Sequence, residues 1–173
     1  MRKKISDITV ECIKGDISKQ PDLDAVVNAA NADLVRGGGV AGAIHRKAGP
    51  ALEKESAQLG PIKPGQAVIT GAYQLPNKFV IHCLGPVYGK DKPEDRLLAD
   101  CYRNSLYLAE QNKIESIGFP AISTGAFGYP PEEAAEIVKQ VIEEVAPKLT
   151  NVKKLNFILH SDSDLKLYKE TIF

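Results

Sequence analysis

The sequence lacks a net charge, a long apolar run and an apolar leader segment. Its 22 basic and 22 acidic residues cancel over 173 positions, so no overall field attracts the protein to nucleic acid or to an anionic membrane. No window approaches the run of about 18 apolar residues that a membrane span needs, and the charged first residues are not followed by an apolar segment. We therefore expect a cytoplasmic protein with no membrane partner, which has to capture any anion locally.

Cysteine is scarce, odd in number and scattered. Cys12, Cys83 and Cys101 are far apart and have apolar neighbours, which argues against a disulfide framework or a zinc site. The three histidines are also remote from one another, and no serine or cysteine stands in a nucleophile elbow. We expect reduced and buried thiols, no disulfide partner, no metal and no other cofactor.

The chain also lacks internal repeats, low-complexity tracts and linkers, so it is predicted to form one domain over 1–173. A monomer is expected. Apolar patterns predict strands and helices in alternation. The predicted strands are 8–14, 23–29, 66–72, 78–84, 116–122 and 155–160. Helices are predicted from Val40 to about residue 49 and over 51–59. Three further helices are predicted to begin at Pro93, at Pro131, and after a cap at Ser161 or Ser163. This alternation is typical of an α/β class three-layer α/β/α sandwich with a mixed, mostly parallel central sheet.

Two glycine-containing loops each follow a predicted strand and precede a predicted helix. The first carries Gly37, Gly38 and Gly39 before Val40, and the second spans 123–128. Such junctions present unpaired backbone N–H groups and the positive end of a helix dipole. Neither loop is a P-loop or a GxGxxG motif. A sharp connection without a ligand is the alternative, but it needs one glycine and not three, so the two loops together predict a ligand with two phosphates.

Several polar residues are predicted beyond the carboxyl ends of strands, where ligands of open α/β sheets bind. Asp16 either accepts hydrogen bonds from an exocyclic amine or caps a turn. Asn28 is interpreted as structural, whereas Asn31, further out, is interpreted as a ligand contact. Phe127 either walls in a sugar or folds back onto the core, and its place in a polar glycine loop favours the sugar.

The histidines allow structural and functional interpretations. His45 lies inside the predicted helix and would face the cleft or solvent, and a lone helical histidine is more often structural than catalytic. His82 lies in an apolar strand and is predicted to be buried and hydrogen bonded. His160 ends the last predicted strand, so it either reaches the ligand cleft or is an exposed terminus.

Five segments together resemble the macrodomain family, and they span nearly the whole chain in the family's order. They are GDI at 15–17, VVNAAN at 26–31, GGGVAGAIHR at 37–46, HCLGP at 82–86 and FPAISTGAFGYP at 119–130. The sequence is most similar to the branch that removes ADP-ribose from proteins and deacetylates O-acetyl-ADP-ribose. The resemblance implies an ADP-ribose site, with mono-ADP-ribosylated proteins or O-acetyl-ADP-ribose as partners.

The resemblance also implies a role for each site residue. Asp16, with Ile17 beside it, would hold the adenine amino group, and His160 stands near the place of an adenine-stacking aromatic. Asn31 would bind the distal ribose, with Phe127 against that sugar. The diphosphate would be clamped by the two loops, at Gly38, Gly39, Val40, Ser123, Thr124, Gly125, Ala126, Phe127 and Gly128.

One departure from the family pattern separates the candidate functions. Many members of the hydrolytic branch have an aspartate where this chain has Ala41, so no carboxylate can act there. The leading hypothesis is hydrolysis of the ester that links ADP-ribose to an acidic side chain, or of the acetyl ester of O-acetyl-ADP-ribose. Asn31, His45 and Gly38 are its catalytic residues, with a bound water polarised by a substrate phosphate. The alternatives are a non-catalytic ADP-ribose reader, which Ala41 favours, and a weak ADP-ribose 1″-phosphate phosphatase.

Overall fold

The computed structural model describes all 173 residues, which form seven strands and five helices. The strands are β1 (Arg2–Ile5), β2 (Ile8–Lys14), β3 (Ala25–Ala29), β4 (Ala67–Gly71), β5 (Phe79–Cys83), β6 (Ser116–Phe119) and β7 (Lys154–Leu159). The helices are α1 (Gly39–Ala48), α2 (Pro50–Ala57), α3 (Glu94–Gln111), α4 (Pro131–Val145) and α5 (Asp162–Ile172), and a 3₁₀ turn at Ala146–Lys148 follows α4.

All seven strands join one sheet in the order β1-β2-β7-β6-β3-β5-β4. The five central strands pair in parallel, and the two edge strands, β1 and β4, pair antiparallel with their neighbours. The carboxyl ends of β2, β7, β6, β3 and β5 therefore meet at one edge of the sheet. The predicted mixed, mostly parallel sheet is confirmed.

Strand periodicity assigns each side chain to one of two apolar cores. In β3, Ala25 and Val27 pack in the core with α3, α4 and α5, whereas Val26 packs on the other face with Ile44 of α1 and Leu52 of α2. Both faces of the central strands are covered, which explains why β3 is a continuous apolar run instead of an alternating one. The three layers are α1 and α2, the sheet, and α3 to α5.

The predicted elements agree with the structure apart from their ends and one strand. The strand predicted to reach residue 122 ends at Phe119, because Pro120 cannot continue the ladder. Of the two cap candidates, Ser161 is the one that caps α5, and its hydroxyl accepts the N–H of Asp164 at 3.2 Å. β1 was missed, because its Arg-Lys-Lys run is exposed and has no apolar alternation.

The three thiols lie inside the fold, and the helices are those of a sandwich around a sheet. Cys12, Cys83 and Cys101 are all buried, as predicted, and burial raises the pKa of the Cys12 thiol to about 12. None of the five helices has the length and apolar character that a membrane crossing requires.

Glu110, in the last turn of α3, holds the segment that leads into β7. Its carboxylate accepts the Thr150 hydroxyl at 2.7 Å and the N–H groups of Thr150, Asn151 and Val152 at 2.9 to 3.1 Å. Burial raises the pKa of Glu110, but these hydrogen bonds outweigh it and lower the pKa from 4.5 to about 2. The carboxylate thus ties the last turn of α3 to the segment that leads into β7.

We predict that Glu110→Gln lowers the free energy of unfolding at neutral pH by about 1.5–3 kcal/mol, the range for hydrogen bonds to a charged group. Because folding lowers the pKa of Glu110, its contribution is complete above pH 4.5 and disappears as the pH falls towards 2. Urea unfolding at neutral and acidic pH measures the difference. Glu136→Gln on the exposed face of α4 is the matched control, and an equal loss in both variants would contradict this role.

Candidate functional site

A cleft of about 470 Å³ lies at the carboxyl ends of β3, β5 and β6. One wall is the loop between β3 and α1, and the other is the loop between β6 and α4. Because β3 lies between β5 and β6 in the sheet, the loops that follow these strands are brought together. The two glycine loops singled out in the sequence therefore face each other across the cleft.

Gly85, just after β5, allows the floor of the cleft to pack closely. A Cβ atom at this position would overlap the Ser123 hydroxyl and would lie 2.7 Å from Cγ2 of Ile122. Only a residue without a side chain fits there. The absence of that side chain lets the second loop lie directly against the end of β5.

The first loop presents backbone donors at the start of α1. The N-cap residue is Gly38, which has no side chain to cap the helix, and no acidic residue lies in the first turn. The N–H groups of the first turn consequently have no intrahelical partner, and those of Gly37 and Gly38 donate to no protein acceptor. With the positive end of the helix dipole behind them, these donors have the arrangement that favours an anion.

The second loop presents a similar row of donors. The N–H groups of Thr124, Gly125, Ala126 and Phe127 donate to no protein acceptor. The loop is held in shape by two bonds at its ends, from Gly128 N to Gly125 O at 3.0 Å and from Tyr129 N to Ser123 O at 2.9 Å. It is shaped by backbone contacts and leaves its own donors free.

No side chain that lines the cleft is charged, and none is a histidine. The polar side chains there are Asn31 and Ser123, and the Ser123 hydroxyl is buried without a hydrogen-bond partner. Asn31 donates to Val35 O at 2.8 Å and accepts Val35 N–H at 3.1 Å. One amide hydrogen and one lone pair of Asn31 remain, so the residue fixes its own loop and can still contact a ligand.

Eight of the predicted site residues line this cleft. They are Asn31, Gly38, Gly39, Val40, Ser123, Gly125, Ala126 and Phe127. Gly38, Gly39 and Gly125 have no protein atom within 4 Å of a Cβ position, so the space beside them is open to a ligand. Phe127 has both of its expected environments, because it lines the cleft and also packs on a small core cluster that contains Ala30 and Leu84.

Thr124 and Gly128 belong to the second loop but do not line the cleft, and Asp16, Ile17 and His160 lie further along the same edge. Asp16 and His160 follow β2 and β7, which are paired neighbours, and three strand spacings of roughly 4.8 Å, about 14 Å in all, separate β2 from β3. Ile17 is only 5% exposed and packs in the α1 core. A ligand that contacted both regions would have to be elongated.

Asp16 has one oxygen in a turn and one free. Its Oδ1 atom accepts the Ser18 hydroxyl at 2.6 Å and the Ser18 N–H at 2.9 Å. The hydrogen bond from the Ser18 hydroxyl is the main reason that the pKa of Asp16 is lowered. The turn-capping alternative is therefore present, and Oδ2 remains as an ionised acceptor for an amino group.

The expected position of His45 is wrong. Its side chain faces neither the cleft nor solvent, since the residue is 2% exposed and both ring nitrogens lack a hydrogen-bond partner. Burial lowers its pKa, and its ring centroid lies 6.4 Å from that of His82. His45 faces inwards because its turn of α1 packs on the sheet, so it does not line the cleft.

His82 and Asn28 form a buried polar chain beneath the cleft, as their structural interpretation predicts. Asn28 Nδ2 lies 3.1 Å from His82 Nδ1, and His82 Nε2 lies 2.9 Å from Thr70 Oγ1. An amide nitrogen only donates, so Nδ1 accepts and Nε2 carries the proton. Thr70 then donates to Gly71 O at 3.0 Å, which fixes one neutral tautomer.

Four further residues line the cleft that were not among the predicted site residues, namely Ala29, Ala30, Ala121 and Ile122. The signal that could have found them is their place at or just after the ends of the strands that precede the two glycine loops. No group of three or more histidine, cysteine, aspartate or glutamate side chains is placed to hold a metal ion.

Comparisons with known proteins agree with this arrangement. A family model described as the Macro domain matches residues 27–138. The Klebsiella pneumoniae protein named O-acetyl-ADP-ribose deacetylase is 46% identical over 167 residues, which are 94% of this chain and 95% of that protein. The Xenopus laevis protein named ADP-ribose glycohydrolase MACROD2 is 45% identical over 94% of this chain and 40% of its own length. A mutant of the Oceanobacillus iheyensis macrodomain with ADPR superposes with a TM-score of 0.94 at 40% identity, over 99% and 96% of the two chains.

The buried histidine chain predicts an acid-sensitive fold. Burial, with a smaller contribution from His45, lowers the pKa of His82 from 6.5 to about 3. Below pH 6.5 His82 is protonated in the unfolded chain, whereas in the folded chain it stays neutral until about pH 3. The free energy of unfolding therefore decreases as the pH is lowered from 6.5 to about 3. We expect the NMR signals of the His82 ring, assigned with His82→Gln, to stay constant from pH 8 to about 5. A titration midpoint near 6.5 would contradict the buried neutral tautomer.

Proposed function

Because this chain belongs to the macrodomain family, we propose that it binds ADP-ribose along the carboxyl edge of its sheet. The observation that carries the proposal is the pair of free N–H rows, at 37–41 and 124–127, on opposite walls of one cleft. A diphosphate has acceptor oxygens on both of its sides, so it can use both rows at once. The Oceanobacillus iheyensis relative with ADPR supports the same ligand.

The two ends of the ligand follow from the sheet order. In the orientation that the family resemblance implies, adenine lies towards Asp16 and His160, at the ends of β2 and β7, and the distal ribose lies at Asn31, after β3. The free Oδ2 of Asp16 would accept the adenine amino group, and Phe127 would pack on the distal ribose. The uncharged cleft between these ends gives the diphosphate backbone donors in place of a lysine or arginine.

We further propose that the protein hydrolyses an ester at the distal ribose, either to an acidic side chain or to an acetyl group. Water adds, the ester C–O bond breaks, and the products are ADP-ribose and a carboxylic acid. Since no side chain lining the cleft can act as a base, the base would be an oxygen of the substrate's own phosphate. Asn31 and the amides at Gly38 would orient the sugar, whereas His45 is too deeply buried to act on it. This route requires no resident cofactor.

A second candidate function is a reader that binds ADP-ribose without turnover. The observation that favours it is Ala41, which is 4% exposed and lines the cleft where many hydrolytic relatives carry a carboxylate. Binding and turnover depend on different features of this site, so they can be tested separately.

For binding, we predict that Gly125→Glu weakens ADP-ribose affinity at least about tenfold, because its carboxylate would lie beside the diphosphate. Gly125 has open space around it and no positive φ, so the fold should accept the side chain. Gly39→Glu should act similarly but also strains a backbone with φ +54°. Calorimetry on the unmodified protein and both variants makes the measurement.

Gln140→Glu adds the same charge on the exposed surface of α4 and serves as the control for the binding experiment. Its affinity for ADP-ribose should equal that of the unmodified protein. No heat of binding for the unmodified protein would end the proposal, and unchanged affinity in Gly125→Glu would remove the second loop from the site.

For turnover, we predict that the unmodified protein releases ADP-ribose from a glutamate-linked protein and acetate from O-acetyl-ADP-ribose. Ala41→Asp should raise kcat/KM at least about tenfold, because it adds a side-chain base to a cleft that has none. Product formation measured by chromatography tests both statements. If ADP-ribose binds but both substrates survive excess enzyme, the protein is a reader.

A further inference from the structure

A second depression, of about 410 Å³, lies against the outer side of the first glycine loop. It is lined by Arg36, Pro50, Glu53, Lys54 and Ala57. Arg36 directly precedes Gly37, which lines the ADP-ribose cleft. The depression and the cleft are therefore separated by the thickness of one loop.

This corner of the molecule carries an excess of positive charge. Arg36 and Lys54 are exposed and take part in no ion pair. The carboxylate of Glu53 already accepts the backbone N–H of Arg36 at 3.1 Å. Since the whole chain has zero net charge, the excess is a local feature.

Helix α1 adds a further cation beside the same loop. Arg46, in its last turn, is exposed and takes part in no ion pair, and its guanidinium reaches back to Gly42, with Nη1 3.1 Å from that residue's Cβ position. Two cations, Arg36 and Lys54, and one carboxylate, Glu53, line the depression itself. Exposed charges arranged in this way steer and select charged partners more than they stabilise the fold.

We propose that this basic corner binds acidic residues that flank the modified side chain of a polypeptide substrate. The proposal rests on the proposed function, because it needs the distal ribose to lie at Asn31. Asn31 Nδ2 is 3.3 Å from the Cβ position of Gly37, so the group attached to that ribose leaves the cleft beside Arg36. An extended polypeptide advances by about 3.3 Å per residue, and the next residues of the acceptor chain reach the depression.

The test compares two peptides that carry ADP-ribose through a hydrolysis-resistant link, one with glutamates and one with glutamines at the flanking positions. We expect the glutamate peptide to bind about three- to tenfold more tightly, the range for two exposed ion pairs. The preference should shrink when salt is raised to about 0.5 M, where exposed charges are screened. Because the link resists hydrolysis, the readout is the same for an enzyme and for a reader.

The double variant Arg36→Gln, Lys54→Gln should lose the preference and keep its affinity for free ADP-ribose. The matched control is Lys4→Gln, Lys153→Gln, which removes two exposed cations remote from the cleft and should keep the preference. Equal affinity of the two peptides for the unmodified protein, or a preference that survives in the double variant, would overturn the proposal. Failure of free ADP-ribose to bind would instead overturn the proposed function, and this inference with it.

Discussion

The site depends on the parallel pairing of β3 with both β5 and β6. This pairing brings the carboxyl ends of three strands to one place, so that two loops from distant parts of the chain face each other. The gap between them can be narrow because Gly85 has no side chain to separate Ser123 from the end of β5. The free N–H groups on both walls therefore lie close enough for the proposed contact with one anion that has two charged groups.

The two loops that form the cleft also determine its chemical character, because they contribute most of its lining residues. Small and uncharged residues line it, so affinity has to come from backbone donors and the α1 dipole, and no side chain inside it can take up a proton. The histidines nearby, His45 and His82, are deeply buried, and Asp16 lies towards the other end of the edge. The proposed binding would therefore use groups that the fold itself supplies, whereas the proposed hydrolysis would need a base from the substrate.

Much of the fold could be predicted from the sequence, because apolar periodicity, prolines and capping serines act locally. β1 could not, since an edge strand of Arg-Lys-Lys buries almost nothing. The glycine loops were recognisable as anion sites, but their adjacency depends on strand order, which no local pattern encodes. His45 shows the same limit, because periodicity places it on a helix without showing which face meets the sheet. The Asn31 contacts to Val35 follow from loop conformation, which also has no local signal.

The central claim is that the backbone amides of both loops bind one diphosphate, and amide NMR during an ADP-ribose titration tests it most directly. A hydrogen bond to a phosphate changes the environment of the donating proton itself, so the amides involved should move most. We expect the largest shifts to fall on 37–41 and 124–127 together and to reach saturation at the same ligand concentration. Shifts confined to one loop, or centred away from both, would contradict it.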